Sequence, residues 1–99
     1  MKVYICSPYG GKQSNFLTAV GFARQAASMG HTPFASHIML HGILNDRDPE
    51  AREKGIQAGI AMLGLCDEVW AFGRIITPGM QREIDYAREH NIPVKFYLK

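Results

Sequence analysis

The segment Thr77-Pro-Gly-Met-Gln-Arg-Glu83 holds the residues best placed for chemistry. Thr77-Pro78 is a helix start: a hydroxyl cap, then proline at the first helical position. Glu83 stands four residues after Gly79, and positions i and i+4 share one face of a helix. The carboxylate is therefore expected one turn below a residue with no side chain, where a ligand has room to reach it. Its neighbour Ile84 forms an apolar stripe with Met80 and Ala87, so Glu83 borders the buried side and should be partly desolvated. A carboxylate so placed can act as nucleophile toward an anomeric carbon, as in retaining glycosidases. The same spacing also suits an exposed first-turn acid that favours the helix dipole.

Other residues could share such a site. In Ser7-Pro8-Tyr9-Gly10-Gly11-Lys12 the paired glycines let the backbone approach a ligand and turn N–H groups toward an anion, while Lys12 adds positive potential. A plain strand-to-helix turn would use the same glycines, and the loop is neither a Walker loop nor GxGxxG. His37 and His41 stand at i, i+4, but a zinc site needs further ligands, and no cysteine or acid has a suitable spacing. His37 is instead expected to donate hydrogen bonds to a ligand. Trp70 reads as core, and Asp67 as a cap or turn terminator. Cys6 and Cys66 lie far apart inside apolar runs and read as small buried hydrophobes, with neither a CxxC pair nor a disulfide implied. No metal or other cofactor is expected.

The elements that must position these groups alternate along the chain. Lys2–Cys6 reads as a strand, Asn15 to about Met29 as a helix, and His31–Ser36 as a second strand weakened by Pro33. In the first helix Phe16, Leu17, Val20, Ala23 and Ala27 follow helical spacing, and Gly30 supplies the stop. Residues 37–47 are ambiguous. Asp48-Pro49 opens a helix to about Leu63 with Ile56, Ile60 and Leu63 on one stripe. Glu68–Phe72 is the third strand, Thr77 to about His90 the last helix, and Ile92–Leu98 the last strand. Strands separated by helices imply parallel pairing through right-handed crossovers. The expected fold is a three-layer α/β flavodoxin/Rossmann-like parallel sheet of four to five strands, with helices on both faces, in a single domain spanning 1–99. Ligands of such sheets bind at the carboxyl edge, where the Gly10-Gly11 loop, the segment after strand two and the Thr77 loop should meet.

Composition narrows the function classes. The 46% apolar and 20% charged fractions are ordinary for a packed domain, and the net charge is +2 with no block of five basic residues. The footprint of a duplex nucleic-acid binder is missing. No run approaches the roughly 20 apolar residues of a membrane span, and Met1–Cys6 does not make a signal peptide. The chain reads as intracellular, with a cytoplasmic setting. Its limited core favours a homo-oligomer, with the apolar Phe34–Leu44 stretch as the candidate interface.

Taken together, the rim loops resemble the nucleoside 2-deoxyribosyltransferase superfamily, most of all its branch of 2′-deoxynucleoside 5′-monophosphate N-glycosidases. Tyr4-Ile-Cys6-Ser-Pro-Tyr-Gly-Gly-Lys-Gln13 is similar to the family's opening Tyr-Phe-Cys-Gly-Ser-Ile-Arg-Gly-Gly-Arg-Gln, one residue shorter. Ala35-Ser36-His37 resembles its Thr-Glu-His. Cys66-Asp67-Glu-Val-Trp-Ala71 followed by Thr77-Pro-Gly79-Met-Gln-Arg-Glu83-Ile is similar to its Ala-Asp-Val-Val-Val-Ala and Ser-x-Gly-x-x-x-Glu-x-Gly, with the Asp67–Glu83 distance matched without a gap. The resemblance covers roughly Lys2 to Phe96. It implies a nucleoside or nucleotide in the rim pocket and Glu83 as nucleophile on C1′ of a deoxyribose. Phosphate contacts are implied for Ser7, Gly10, Gly11 and Thr77. Further substrate contacts are expected from Tyr4, Tyr9, Lys12, His37, Gly73, Gly79 and Met80. Two departures stand out: Gly59 occupies the position of the family's second catalytic aspartate, and Tyr9 replaces its loop arginine.

Overall fold

The computed structural model describes residues 1–8, 13–40, 43 and 48–97. The element order is β1 (Lys2–Cys6), α1 (Gln13–Ser28), β2 (Thr32–Phe34), α2 (Ser36–Met39), α3 (Pro49–Leu63), β3 (Glu68–Phe72), α4 (Pro78–Glu89) and β4 (Val94–Tyr97). All strand pairs are parallel, in the order β2-β1-β3-β4. Pro33 lies in an edge strand opposite Val3, where its missing N–H is tolerated.

Strand periodicity divides the core. In β1, Val3 and Ile5 pack with Ala26 of α1, while Tyr4 and Cys6 point to the opposite face with Leu63 of α3 and Met80, Ile84 and Ala87 of α4. In β3, Trp70 and Phe72 go with α1, and Val69 and Ala71 with α3 and α4. Helices thus cover both faces, as expected. Because side chains alternate along a strand, Tyr4 and Cys6 must emerge side by side beneath α4.

The helix signals hold where their capping chemistry is local. Asp48 accepts the Glu50 N–H at the head of α3, with Pro49 following. Thr77 Oγ1 accepts the Met80 N–H at 3.2 Å at the head of α4. Gly30, at φ 88°, ends α1, and Asn91, at φ 58°, turns the chain after α4. Trp70 is buried, with its indole N–H donating to Glu68. Asp67 is structural: its carboxylate accepts the Lys2 N–H at 2.8 Å and its own N–H donates to the Lys2 carbonyl, tying β1 to the start of β3.

Four details differ from expectation. Helix α1 begins at Gln13, two residues before Asn15. Its inward face is Ala19, Phe22, Ala23 and Ala26, whereas Leu17 and Ala27 are exposed. The stacking of Phe22 on Phe72 at 4.0 Å fixes the helix rotation, and small alanines let it approach the sheet. Strand β2 ends at Phe34, and Ser36 enters a short helix. Strand β4 starts at Val94, after the Asn91 turn and Pro93. Leu98 lies outside the described residues, as do His41, Gly42 and Leu44 of the expected interface. Met39 and Ile43 of that stretch are exposed. No helix among the described residues is long and apolar enough to cross a membrane.

Gly73 follows β3 at φ 111°, with Pro8 packed 3.5 Å from where a Cβ would stand. Gly73→Ala is expected to lower stability by on the order of 1–3 kcal/mol, since side chains other than hydrogen strain this backbone region. The effect should appear as a lower denaturation midpoint at unchanged slope; an unchanged midpoint contradicts it.

Candidate active site

Helix α4 carries Met80, Ile84 and Ala87 inward, and Glu83 lies on that same side, 5% exposed. The helix starts at the carboxyl end of β3, so its second turn passes over the end of β1, where Tyr4 and Cys6 emerge. The Tyr4 hydroxyl donates a hydrogen bond to Glu83 Oε2. The Tyr4 oxygen is also 2.8 Å from Ser36 Oγ at the start of α2. The Cys6 thiol reaches both the Met80 carbonyl oxygen, at 3.9 Å, and the Glu83 carboxylate. Strand β1 therefore supplies both partners of one acid, with α2 supporting the first of them, and among the described residues no cation helps to hold its charge.

The electrostatics follow from that enclosure. Burial pushes Glu83 up to about 7, while the hydrogen bonds from Tyr4 and Cys6 pull the other way and only partly compensate. Tyr4 and Cys6 are both raised well above their ordinary values, first by burial and then by the nearby Glu83 charge. Around neutral pH the site thus holds an acid divided between its two forms, beside groups that keep their protons. Such a carboxyl is a candidate functional group on physical grounds.

Gly59 of α3 closes the cluster from the other side. A Cβ at this position would lie 2.7 Å from Glu83 Oε2, 2.7 Å from the Tyr4 hydroxyl and 3.1 Å from Ser36 Oγ. The helix backbone therefore rests on the polar group itself. The expectation at Gly79 is corrected here. Its missing side chain faces Ile56, whose Cδ1 would be 3.7 Å from a Cβ, so the close approach to Glu83 is made at Gly59 instead.

The remaining residues chosen from sequence are placed as follows. Ser7 is buried at the end of β1, and its Oγ has no hydrogen-bond partner among the described residues. His37 Nε2 is 2.6 Å from the Ser7 carbonyl oxygen and so ties the start of α2 to the residue that follows β1. Thr77 caps α4. Met80 belongs to the core, 2% exposed, and Tyr4 is fully buried; each acts on Glu83's surroundings and neither lines an open surface. Tyr9, Gly10, Gly11 and Lys12 lie outside the described residues. No cluster of three metal-ligating side chains occurs among the described residues. In the sequence Ser36 stands only inside the Ala35-Ser36-His37 resemblance, with no role of its own, and Cys6 reads as a small buried hydrophobe. The period of two in β1 already puts Cys6 beside Tyr4; nothing local marked Ser36, which only the end of β2 brings into reach.

A family model described as "Domain of unknown function (DUF7768)" matches residues 1–97. The chain belongs to that family. Among solved structures, this DUF7768 chain is similar to a 2-deoxyribosyltransferase from the psychrotolerant bacterium Bacillus psychrosaccharolyticus, with 20% identity and a TM-score of 0.75. The match covers 99% of this chain and 72% of that one. The likeness establishes a shared α/β fold. No curated protein matches the chain.

The unfolded chain releases the Glu83 proton near the ordinary 4.5, and the folded DUF7768 chain near 7. Protonated Glu83 therefore favours the fold below this window, and its contribution is lost as pH rises through it. At 1.36 kcal/mol per pH unit the loss is about 3 kcal/mol. Glu83→Gln should flatten the stability profile between pH 4.5 and 7, as followed by chemical denaturation; a variant with the wild-type slope contradicts the assignment. Gly59→Ala should destabilise by about 1–3 kcal/mol through overpacking. Alanine in a helix interior ordinarily gains up to about 1 kcal/mol over glycine, and Gly21→Ala, with nothing within 4 Å of its Cβ, should show that gain. Equal effects at both glycines would refute the close approach at Gly59.

Proposed function

We propose that this protein cleaves or transfers the N-glycosidic bond of a deoxyribonucleoside or its 5′-monophosphate, with Glu83 as nucleophile. The observation that carries this reading is a buried carboxyl, poised about neutrality, at the carboxyl edge of a parallel sheet, where such folds bind ligands. The ionised oxygen of Glu83 attacks C1′, a carbon–oxygen bond forms, and the base leaves with the electron pair of the broken carbon–nitrogen bond and takes up a proton. Water then releases the sugar from the glycosyl ester, or a second base accepts it. Tyr4 and Cys6 hold the carboxylate while it waits. The fold shared with a 2-deoxyribosyltransferase supports the same chemistry by analogy.

On this reading the rest of the substrate is taken by groups of the loops that follow β1 and β3. The unpartnered Ser7 hydroxyl and the capped start of α4 offer donors to a phosphate. The glycine pair Gly10-Gly11 and Lys12 would add backbone N–H groups and charge, and Tyr9 a stacking face.

A second reading is favoured by Gly59. Among the described residues no second carboxylate acts on Glu83 to share proton transfer, and Glu83 itself is 5% exposed. On this reading the protein is a nucleotide-binding module without turnover, a sensor or a sequestering protein.

A panel of deoxynucleosides and their monophosphates, scored together for base release and melting shift, separates the two. The enzyme reading expects free base, abolished by Glu83→Ala, with kcat/KM rising to a plateau above pH 7 because only the ionised form attacks. The binding reading expects ligand-dependent stabilisation without consumption. Absence of base release from every nucleotide at high protein concentration ends the enzyme reading, and absence of both base release and any melting shift ends both.

A further inference from the structure

Of the groups that touch Glu83, Tyr4 is held in turn by a side chain from a third element. Its oxygen lies 2.8 Å from Ser36 Oγ, and Ser36, Tyr4 and Glu83 are 4%, 0% and 5% exposed. Water is kept from the chain on the α3 side by Gly59, whose absent Cβ would come within 3.1 Å of Ser36 Oγ. Ser36 is not occupied in capping α2, because Ala35 holds the cap position and no side-chain cap bond is made.

Counting protons fixes the direction of this chain. An ionised carboxylate can only accept, so Tyr4 gives its one hydroxyl proton to Glu83. The Tyr4 oxygen must then accept from Ser36. When Glu83 carries a proton, its own hydroxyl can donate to Tyr4, and Tyr4 to Ser36, so every bond is kept with its direction reversed. Serine suits the far end because a hydroxyl both donates and accepts.

We propose that Ser36 is a positioning residue for Glu83, the far end of a reversible Ser36–Tyr4–Glu83 hydrogen-bond chain that holds the carboxyl in both protonation states. In the ionised state the Ser36 donor polarises the Tyr4 hydroxyl and strengthens its bond to the carboxylate, as linked hydrogen bonds do. Consistently, the Ser36 bond lowers the tendency of Tyr4 to hold its proton, against the burial and the Glu83 charge that raise it. Among the described residues the titratable groups facing Glu83 are Tyr4 and Cys6 of β1; α3 contributes Gly59, and α2 contributes Ser36 on Tyr4, neither of them charged. The positioning role rests on the reading of Glu83 as nucleophile, but the chain itself can be tested without turnover.

The test is a carbon-13 titration of the Glu83 carboxyl by NMR in the wild type and in Ser36→Ala, with no substrate present. Removing Ser36 weakens the chain in both states, but a linked bond is worth more where it ends on a charge than on a neutral carboxyl. The ionised form therefore loses more, and the midpoint should rise by about half a unit. The pH dependence of base release should move the same way. A lower melting temperature with an unmoved midpoint would overturn the proposal and leave Ser36 as packing. If Ser36→Ala does not fold, Ser36→Cys replaces it: the weaker thiol donor should give a smaller upward displacement, and an unmoved midpoint again overturns the idea. Because the titration is read without substrate, a protein that releases no base can still pass this test, and one that releases base can fail it.

Discussion

The hydrogen bond between the Tyr4 hydroxyl and Glu83 Oε2 joins the central strand to the last helix across a region closed to water. A buried carboxyl is costly unless it is neutral or well partnered. Here no positive charge among the described residues offsets it, and the result is an acid displaced to about 7. Much of the local structure follows from keeping that group supplied with partners. Tyr4 and Cys6 must share a face of β1, Thr77 must fix the register of α4, and the residue at 59 must have no side chain.

The shared fold with a deoxyribosyltransferase at 20% identity means that one backbone arrangement is kept by largely different side chains. A parallel sheet with helices on both faces supplies a common edge, and the chemistry is written by the residues placed there. At that edge this chain brings hydroxyls, a thiol and a carboxyl together, and α3 lays bare backbone on them. The separate ion pair of Arg82 with Glu53 bridges α3 and α4 on the exposed surface, where solvent screens it, so it steadies the two helices weakly.

Much of the fold was legible because its signals are local. Proline after an acid or a hydroxyl marked the heads of α3 and α4, glycine marked the end of α1, and β-rich runs marked the strands. The rotation of α1 was not legible, since alanine and leucine spacing allowed neighbouring faces and the deciding contact, Phe22 on Phe72, is tertiary. In the site, the burial of Glu83 was foreshadowed by Ile84, but spacing within α4 pointed to Gly79 as its open neighbour. Gly59 comes to the acid, and Ser36 to its partner Tyr4, from other elements, a meeting that no local spacing records.

The strand order carries a consequence for how the chain assembles. Strand β1, synthesised before the other elements described, ends in the interior of the sheet with β2 on one side and β3 on the other. Its pairing with β3 joins residues such as Val3 and Glu68, between which β2 and three helices intervene. Closure of such distant partners is entropically slow. A ribosome must therefore release the chain through α4 before Tyr4 is enclosed, and until then its nascent neighbours remain open to chaperones.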